Sequence, residues 1–147
     1  MKKIIILVIL IVLILVGLFL VWNRKSEEEF VEDIGNELEK QDLIRINRPQ
    51  PNETIKSPLE IKGEARGYWF FEGDFPVKLL DENGQELGMA IAQAQSDWMT
   101  EDFVSFEASL EFQTPATNRG VLILEKDNPS GLPEHADELR IPIKFTP

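Results

Sequence analysis

The fold of this chain is decided by the stretch VSFEASLEF, from Val104 to Phe112. Its apolar side chains occur at every second position and alternate with serine and glutamate. A β-strand places successive side chains on opposite faces, so this spacing predicts a strand with one face on a core and one in water. The same period of two recurs in Leu59–Arg66 and in Leu139–Phe145. The three segments therefore predict a sheet protein with a buried core.

Four shorter segments complete a predicted set of seven strands. Val121–Leu124 is a continuous apolar run, as expected of a central strand. Val77–Leu80 and Leu87–Ala94 flank Asn83-Gly84, a dipeptide that is typical of a hairpin turn, and Leu43–Ile46 supplies the first strand. Seven short strands in about 105 residues, without a long helix, predict an all-β, immunoglobulin-like β-sandwich.

The N-terminal part of the chain contains the apolar run Ile4–Val21, which is 18 residues long and holds no charged side chain. A helix of that length spans the hydrocarbon core of a bilayer, which is about 30 Å thick. A cleaved signal peptide is the alternative, but its apolar region is shorter and is followed by small residues, whereas Trp22 follows this run. We therefore predict an uncleaved signal-anchor transmembrane helix in residues 1–25.

The charges beside the anchor favour a cytoplasmic N-terminus. Lys2, Lys3 and the α-amino group oppose Arg24 and Lys25, so the following chain is predicted to lie outside the cytoplasm. The protein is then a single-pass protein of the cell membrane with an extracytoplasmic C-terminal domain.

Between the anchor and the sandwich, residues 26–42 are acidic and carry a narrow apolar stripe of Phe30, Ile34 and Leu38. We predict a solvated helical stalk here. The alternative is a self-associating helix, but the stripe covers only two heptads. The predicted domains are thus the anchor at 1–25, the stalk at 26–42 and the sandwich at 43–147.

The sandwich region is strongly acidic, and the chain has no cysteine. The formal charge of the chain is −11, and residues 43–147 hold 10 Lys and Arg against 18 Asp and Glu. Such a charge repels nucleic acid and anionic headgroups, so we predict no nucleic-acid partner. Because no disulfide can form and no cysteine can be acylated, the domain must be held together by its hydrophobic core.

Several short motifs follow one another along the sandwich region: Ser57-Pro58-Leu59-x-Ile61-x-Gly63-x-Ala65-Arg66, Phe71-Glu72, Phe75-x-Val77, Asp81-x-Asn83-Gly84, Phe106-Glu107-Ala108 and Ile141-Pro142-Ile143. Their order and spacing resemble the immunoglobulin-like domain of bacterial spore-germination proteins. The resemblance covers nearly all of residues 44–145, and it is carried by the whole series of motifs. It implies a non-enzymatic, extracytoplasmic binding module of the bacterial envelope, and it supplies no catalytic residues.

The residues themselves do not predict catalysis. His135 is the sole histidine of the chain, and no serine lies near it in a recognisable nucleophile motif. Carboxylates are numerous, but Glu107 and Glu111 fall on the water-facing side of their strand, where a raised pKa for acid–base chemistry is not expected. We predict no enzyme activity, no catalytic residue and no cofactor.

Calcium is the remaining metal alternative, because loops of a β-sandwich that are rich in carboxylates can bind it through oxygen ligands. One candidate loop holds Asp97, Glu101 and Asp102, and the other holds Asp127 and Asn128 with Glu134 or Asp137. Neither has the spacing of an EF-hand loop. We therefore predict no metal site.

The aromatic run Tyr68-Trp69-Phe70-Phe71 is the strongest local anomaly of the domain. We assign Phe71 and the nearby Phe75 to the core. Tyr68, Trp69 and Trp98 fall in loops, where exposed aromatic side chains suit a binding surface, so we predict these three as partner-binding residues. The alternative is that all three close the open end of the core. The predicted partner is an unknown envelope protein or, alternatively, a carbohydrate such as peptidoglycan.

Overall fold

A computed structural model of the protein describes residues 33–146. The predicted membrane anchor, residues 1–25, and the first part of the predicted stalk lie outside the described residues. Within residues 33–146, no helix is long and apolar enough to cross a membrane.

Eight strands form the described part of the chain, one more than predicted. They are β1 Ile44–Arg48, β2 Thr54–Ile55, β3 Leu59–Arg66, β4 Asp74–Asp81, β5 Glu86–Ala94, β6 Phe103–Leu110, β7 Arg119–Glu125 and β8 Glu138–Phe145. A short helix, α1, spans Glu37–Lys40, and 3-10 turns lie at Gly67–Trp69 and Pro133–His135. The additional strand is β2, whose two residues are too few to show a period in the sequence.

The strands are hydrogen-bonded in the order β1-β3-β6-β5-β4-β7-β8-β2. β5 connects two layers, because it pairs with β4 along most of its length but with β6 only at Gln93 and Ala94. The sheet therefore curls into an immunoglobulin-like sandwich, with β1, β3 and β6 in one layer and β4, β7, β8 and β2 in the other. The central position predicted for Val121–Leu124 is confirmed, since β7 lies between β4 and β8.

The core lies between the two layers and follows the predicted alternation. The inward positions of β3, β6 and β8 are buried, among them Ile61, Phe106 and Ile141. Phe106 packs edge-on against Phe75, with ring centroids 4.9 Å apart. Burial of this apolar surface is the main stabilising contribution in a domain without disulfides.

The predicted hairpin between β4 and β5 is confirmed. The Asp81 carboxylate accepts hydrogen bonds from the backbone N–H groups of Asn83 and Gln85, both at 2.9 Å. Gly84 has a φ of 81°, a left-handed conformation that glycine adopts without steric strain.

Residues 33–42 lie against the sandwich, although the sequence predicted a solvated helix there. The backbone N–H and the Nδ2 of Asn36 donate to the carbonyl oxygens of Arg140 and Glu138, and its Oδ1 accepts a hydrogen bond from the Arg140 N–H. Lys40 forms an ion pair with Asp137. These contacts cover part of the open edge of β8, whose backbone groups would otherwise need another partner.

Candidate functional site

Three loops meet at one end of the sandwich, which we name the loop end. They are residues 67–73 between β3 and β4, residues 95–102 between β5 and β6, and residues 126–137 between β7 and β8. The strand register brings them together, because Arg66 pairs with Phe103, Asp74 with Gln93, and Glu125 with Glu138. Loops that a rigid sandwich holds at one end are common binding surfaces.

Trp69 is not part of this surface. Its side chain is 0% exposed and belongs to the hydrophobic core. The physical reason is the 3-10 turn at Gly67–Trp69, closed by a hydrogen bond of 3.2 Å from the Phe70 N–H to the Gly67 carbonyl, which brings Trp69 and Phe70 over the end of the core. The prediction of a surface position for Trp69 is therefore wrong, and the alternative of a core-closing residue applies to it.

Phe71 differs from its prediction in the opposite direction. The predicted core position is wrong, because Phe71 is 42% exposed. Phe71 and Asp74 exchange two backbone hydrogen bonds, of 3.0 and 3.2 Å, across a tight turn in which Glu72 and Gly73 have φ values of 54° and 88°. This turn breaks the strand alternation, so Phe71 is exposed while Phe75 remains buried in the core.

Exposed apolar side chains come from all three loops. They are Tyr68 (50% exposed), Phe71, Met99 (75%) and Leu132 (47%). The backbone at Gly67 packs directly against the loop at 95–102. A side chain at this position would overlap the carbonyl oxygens of Trp98 and Thr100, the residues on either side of Met99. Tyr68 and Met99 therefore lie on two backbone segments that contact each other.

Trp98 is only partly accessible. Its indole lies over Gly73, with Cδ1 3.2 Å from the position that a Cβ would take, and it also packs against the core. Of the three residues predicted for partner binding, Tyr68 is exposed, Trp98 is half-buried and Trp69 is buried.

The loop that carries Met99 is held by its own hydrogen bonds. Asp97 accepts from the Met99 N–H at 3.0 Å, the Thr100 N–H donates to the Trp98 carbonyl at 2.8 Å, and the Asp102 N–H donates to the Thr100 hydroxyl at 3.1 Å. A loop that is already ordered loses little conformational entropy when it binds a partner. Sequence reasoning missed Met99, because a single methionine in a polar loop has no periodicity that marks it as exposed.

Carboxylates surround these apolar side chains. Three carboxylates in or beside the loop at 126–137 are paired, since Asp137 contacts Lys40, Glu125 contacts Lys78 and Glu138 contacts Arg140. Seven others lie in or beside the three loops: Glu72, Asp74, Asp97, Glu101, Asp102, Asp127 and Glu134. None of them takes part in the ion pairs formed within residues 33–146. On the strands, by contrast, Lys62 pairs with Glu107 at 3.1 Å, and Lys78 pairs with Glu125 at 2.8 Å. The loop end is thus an apolar surface with an unpaired acidic rim.

A cleft of about 660 Å³ opens beside this rim. Its walls come from α1, the start of β4, the end of β7 and the loop at 126–137, and they include Glu39, Lys40, Pro76, Asp127 and Asp137. Asp127 belongs to both the rim and the cleft, so the two form one continuous candidate site.

The electrostatics of the site are clearest at Asp127. Partial burial raises the pKa of its carboxyl group, and the negative charges of Asp74 and Glu72 raise it further, while a hydrogen bond from the Asn128 backbone opposes the shift. The charges of Asp74 and Glu72 therefore disfavour the ionised form of Asp127 where the loops at 67–73 and 126–137 meet.

We expect Asp127→Asn to raise the melting temperature at pH 7. Because folding raises the pKa of this acid, stability is lost as the pH rises from the unfolded pKa to the folded pKa, and the full penalty remains at higher pH. The amide removes that penalty. In thermal melts at decreasing pH, the gain should shrink as the carboxyl group of the parent protein becomes protonated.

The control is Glu134→Gln, which neutralises an exposed carboxylate of the same loop and should give a smaller gain. An equal or lower melting temperature for Asp127→Asn than for the parent at pH 7 would contradict this account of the charge repulsion.

Neither calcium candidate forms a cluster. Within the part of the chain that the structure describes, no three histidine or acidic side chains lie close enough together to hold a metal ion. This includes Asp97, Glu101 and Asp102 as well as Asp127 with Glu134 or Asp137. His135 lies in the 3-10 turn at Pro133–His135 and is exposed.

The chain is similar to a known protein family. The immunoglobulin-like domain of bacterial spore germination matches residues 43–131. The chain belongs to this family. The match begins one residue before β1 and ends inside the loop at 126–137, so β8 completes the sandwich beyond the matched residues. No curated protein and no solved structure matches the chain.

Proposed function

We propose that the protein is a membrane-anchored, extracytoplasmic and non-catalytic binding module of the bacterial cell envelope, with the loop end as its binding surface. The supporting observation is the exposure of large apolar side chains on three loops at one end of the domain. Of the eight such side chains exposed in residues 33–146, four lie at the loop end. Single exposed apolar residues are ordinary, whereas a group of them surrounded by polar residues is typical of an interaction site.

The proposed location rests on the family and on the apolar run Ile4–Val21. The first described residue, Asp33, lies toward the opposite half of the domain, where its carbonyl accepts a hydrogen bond of 2.7 Å from Asn52 and where it lines a groove with the hairpin at 81–84. Asp33 therefore lies nearer the hairpin at 81–84 than the loop end, and α1 leads from this segment to the cleft beside the rim. The mass of the protein extracted from membranes tests the anchor, since loss of the first ~25 residues would reveal a cleaved signal peptide.

A protein partner is favoured over the carbohydrate alternative. That alternative was predicted to use loop aromatics such as Trp69 and Trp98, but Trp69 is buried and Trp98 is half-buried. Tyrosine, phenylalanine and methionine are enriched in protein–protein interfaces. Tyr68, Phe71 and Met99 supply these three residue types at the loop end.

Photo-crosslinking in intact cells tests the binding surface. A photo-reactive phenylalanine analogue replaces Met99 in the full-length chain, and a matched analogue replaces Met89, which is 57% exposed on β5. We expect a discrete protein adduct from position 99 and none of the same mass from position 89. Failure of position 99 to form an adduct, or the same adduct from both positions, would overturn the proposal.

A further inference from the structure

We propose that the loop end binds a cationic protein segment, in which lysine or arginine side chains alternate with apolar ones. This inference rests on the proposed function and adds the chemical class of the partner to it. It is carried by the combination of an exposed apolar surface with carboxylates that have no cation of their own.

The rim carboxylates are held together by the fold. The Asp127 N–H donates to the Trp69 carbonyl at 3.0 Å, and this bond fixes the loop at 126–137 against the loop at 67–73. Glu72 and Asp74 lie close enough to Asp127 for their charges to act on it. A cation from a partner would offset this repulsion, and complementary charge of this kind gives an interface both specificity and a fast association rate.

The cations near the loop end are too few to neutralise the rim. Arg66 donates to the carbonyl oxygens of Asp42 and Glu101, at 3.0 and 3.2 Å, and its guanidinium lies 4.1 Å from the centroid of the Phe103 ring. Lys40 is paired with Asp137. Within the three loops themselves, the basic residues are Lys126 and His135, and His135 is formally neutral. The seven unpaired carboxylates therefore leave a strongly negative surface.

The shape of the site fits a segment with long cationic side chains. The cleft of about 660 Å³ adjoins the rim at Asp127, and Pro76 gives its wall an apolar element. Its lining is acidic on balance, because five carboxylates face two lysines there: Glu39, Glu125, Asp127, Asp137 and Glu138 against Lys40 and Lys126. Lysine and arginine can lay an apolar stem on such a wall while the charged group reaches the carboxylates. Acidic segments and nucleic acid would be repelled, and a neutral glycan would gain nothing from the acidic rim.

Three fluorescent peptides test the charge of the partner. They share one framework of alternating apolar residues, and the positions between them are all lysine, all glutamine or all glutamate. Binding to the full-length chain in nanodiscs of neutral lipid is measured by fluorescence anisotropy. We expect the lysine peptide to bind about tenfold more tightly than the glutamine peptide, less tightly at high salt, and the glutamate peptide to bind most weakly.

Matched charge variants separate the loop end from the general negative charge of the domain. Asp74→Asn combined with Asp127→Asn neutralises two rim carboxylates, and Glu60→Gln combined with Glu111→Gln neutralises two exposed carboxylates elsewhere on the sandwich. The rim variant should lose about five- to tenfold in affinity for the lysine peptide, and the control variant less than about twofold.

Equal losses in both variants, or no preference for the lysine peptide, would overturn the inference. This failure is distinguishable from failure of the proposed function. If position 99 forms a discrete adduct while the lysine peptide has no advantage, the binding surface is retained and the cationic partner is rejected. If position 99 forms no adduct, the proposed function itself is rejected.

Discussion

Replacement of Trp69 by alanine is expected to lower the free energy of unfolding by about 3–5 kcal/mol. The indole is 0% exposed and closes the loop end of the core, so its removal leaves a cavity lined by core residues. Unfolding of the full-length chain in detergent, followed by far-UV circular dichroism, measures the loss without depending on tryptophan fluorescence.

Two variants serve as controls for Trp69→Ala. Trp69→Phe keeps most of the apolar volume and removes an Nε1 that is buried without a hydrogen-bond partner among the described residues, so it should cost about 1 kcal/mol or less. Tyr68→Ala removes a half-exposed neighbour and should stay within about 1 kcal/mol. If Tyr68→Ala destabilised the protein as much as Trp69→Ala, Tyr68 would belong to the core and not to the proposed binding surface.

Replacement of Gly35 by alanine is expected to lower the free energy of unfolding by about 2–4 kcal/mol. Gly35 has a φ of 69°, and a side chain there would overlap the carbonyl oxygen of Arg140. Relief of this overlap requires the segment to move away from β8 and to lose the hydrogen bonds that Asn36 makes there. The same unfolding measurement detects the change.

Gly131→Ala is the matched control for Gly35→Ala. Gly131 has a similar φ of 65°, but its added side chain would meet no atom within 4 Å. Gly131→Ala should therefore lower the free energy of unfolding only through backbone strain, by about 1 kcal/mol. Equal losses for the two variants would show that residues 33–42 do not depend on their contacts with β8.

Much of the fold could be predicted because its strands alternate in a simple way. The pattern from Leu59 to Arg66 depends only on which side chains face the core, and β3 has the same bounds in the structure. The contacts of Asn36 could not be predicted in the same way. They join residues more than 100 positions apart in the chain, and no local pattern records such a pairing.

The candidate site was predicted only in part, for a related reason. Trp69 and Phe71 lie in a segment where a 3-10 turn is followed by a tight turn, and each turn changes the face on which the next side chain lies. Aromatic residues in such a segment cannot be assigned to the core or to the surface by counting positions. The predicted exposure of Tyr68 is confirmed. The position of Met99 beside Tyr68 depends on the packing of the loop at 95–102 against Gly67, which the sequence does not record.

Stability and the proposed binding surface depend on different parts of the domain. The alternating strands and the segment at 33–42 maintain the sandwich, whereas the three loops present apolar side chains and carboxylates that the sandwich does not need. Substitutions at the loop end should therefore separate binding from stability, and substitutions at Trp69 or Gly35 should affect both.

The central claim is tested most directly by the full-length chain carrying Tyr68→Ser, Phe71→Ser and Met99→Ser together. The measurement is the amount of the partner, identified through crosslinking from position 99, that co-purifies with this variant, compared with a control carrying Met89→Ser and Ile91→Ser on β5. We expect at least about a tenfold loss of partner for the loop-end variant, at an unchanged melting temperature, and little loss for the control. Undiminished co-purification, or a fall in melting temperature as large as that of Trp69→Ala, would contradict the claim that the loop end is the binding surface.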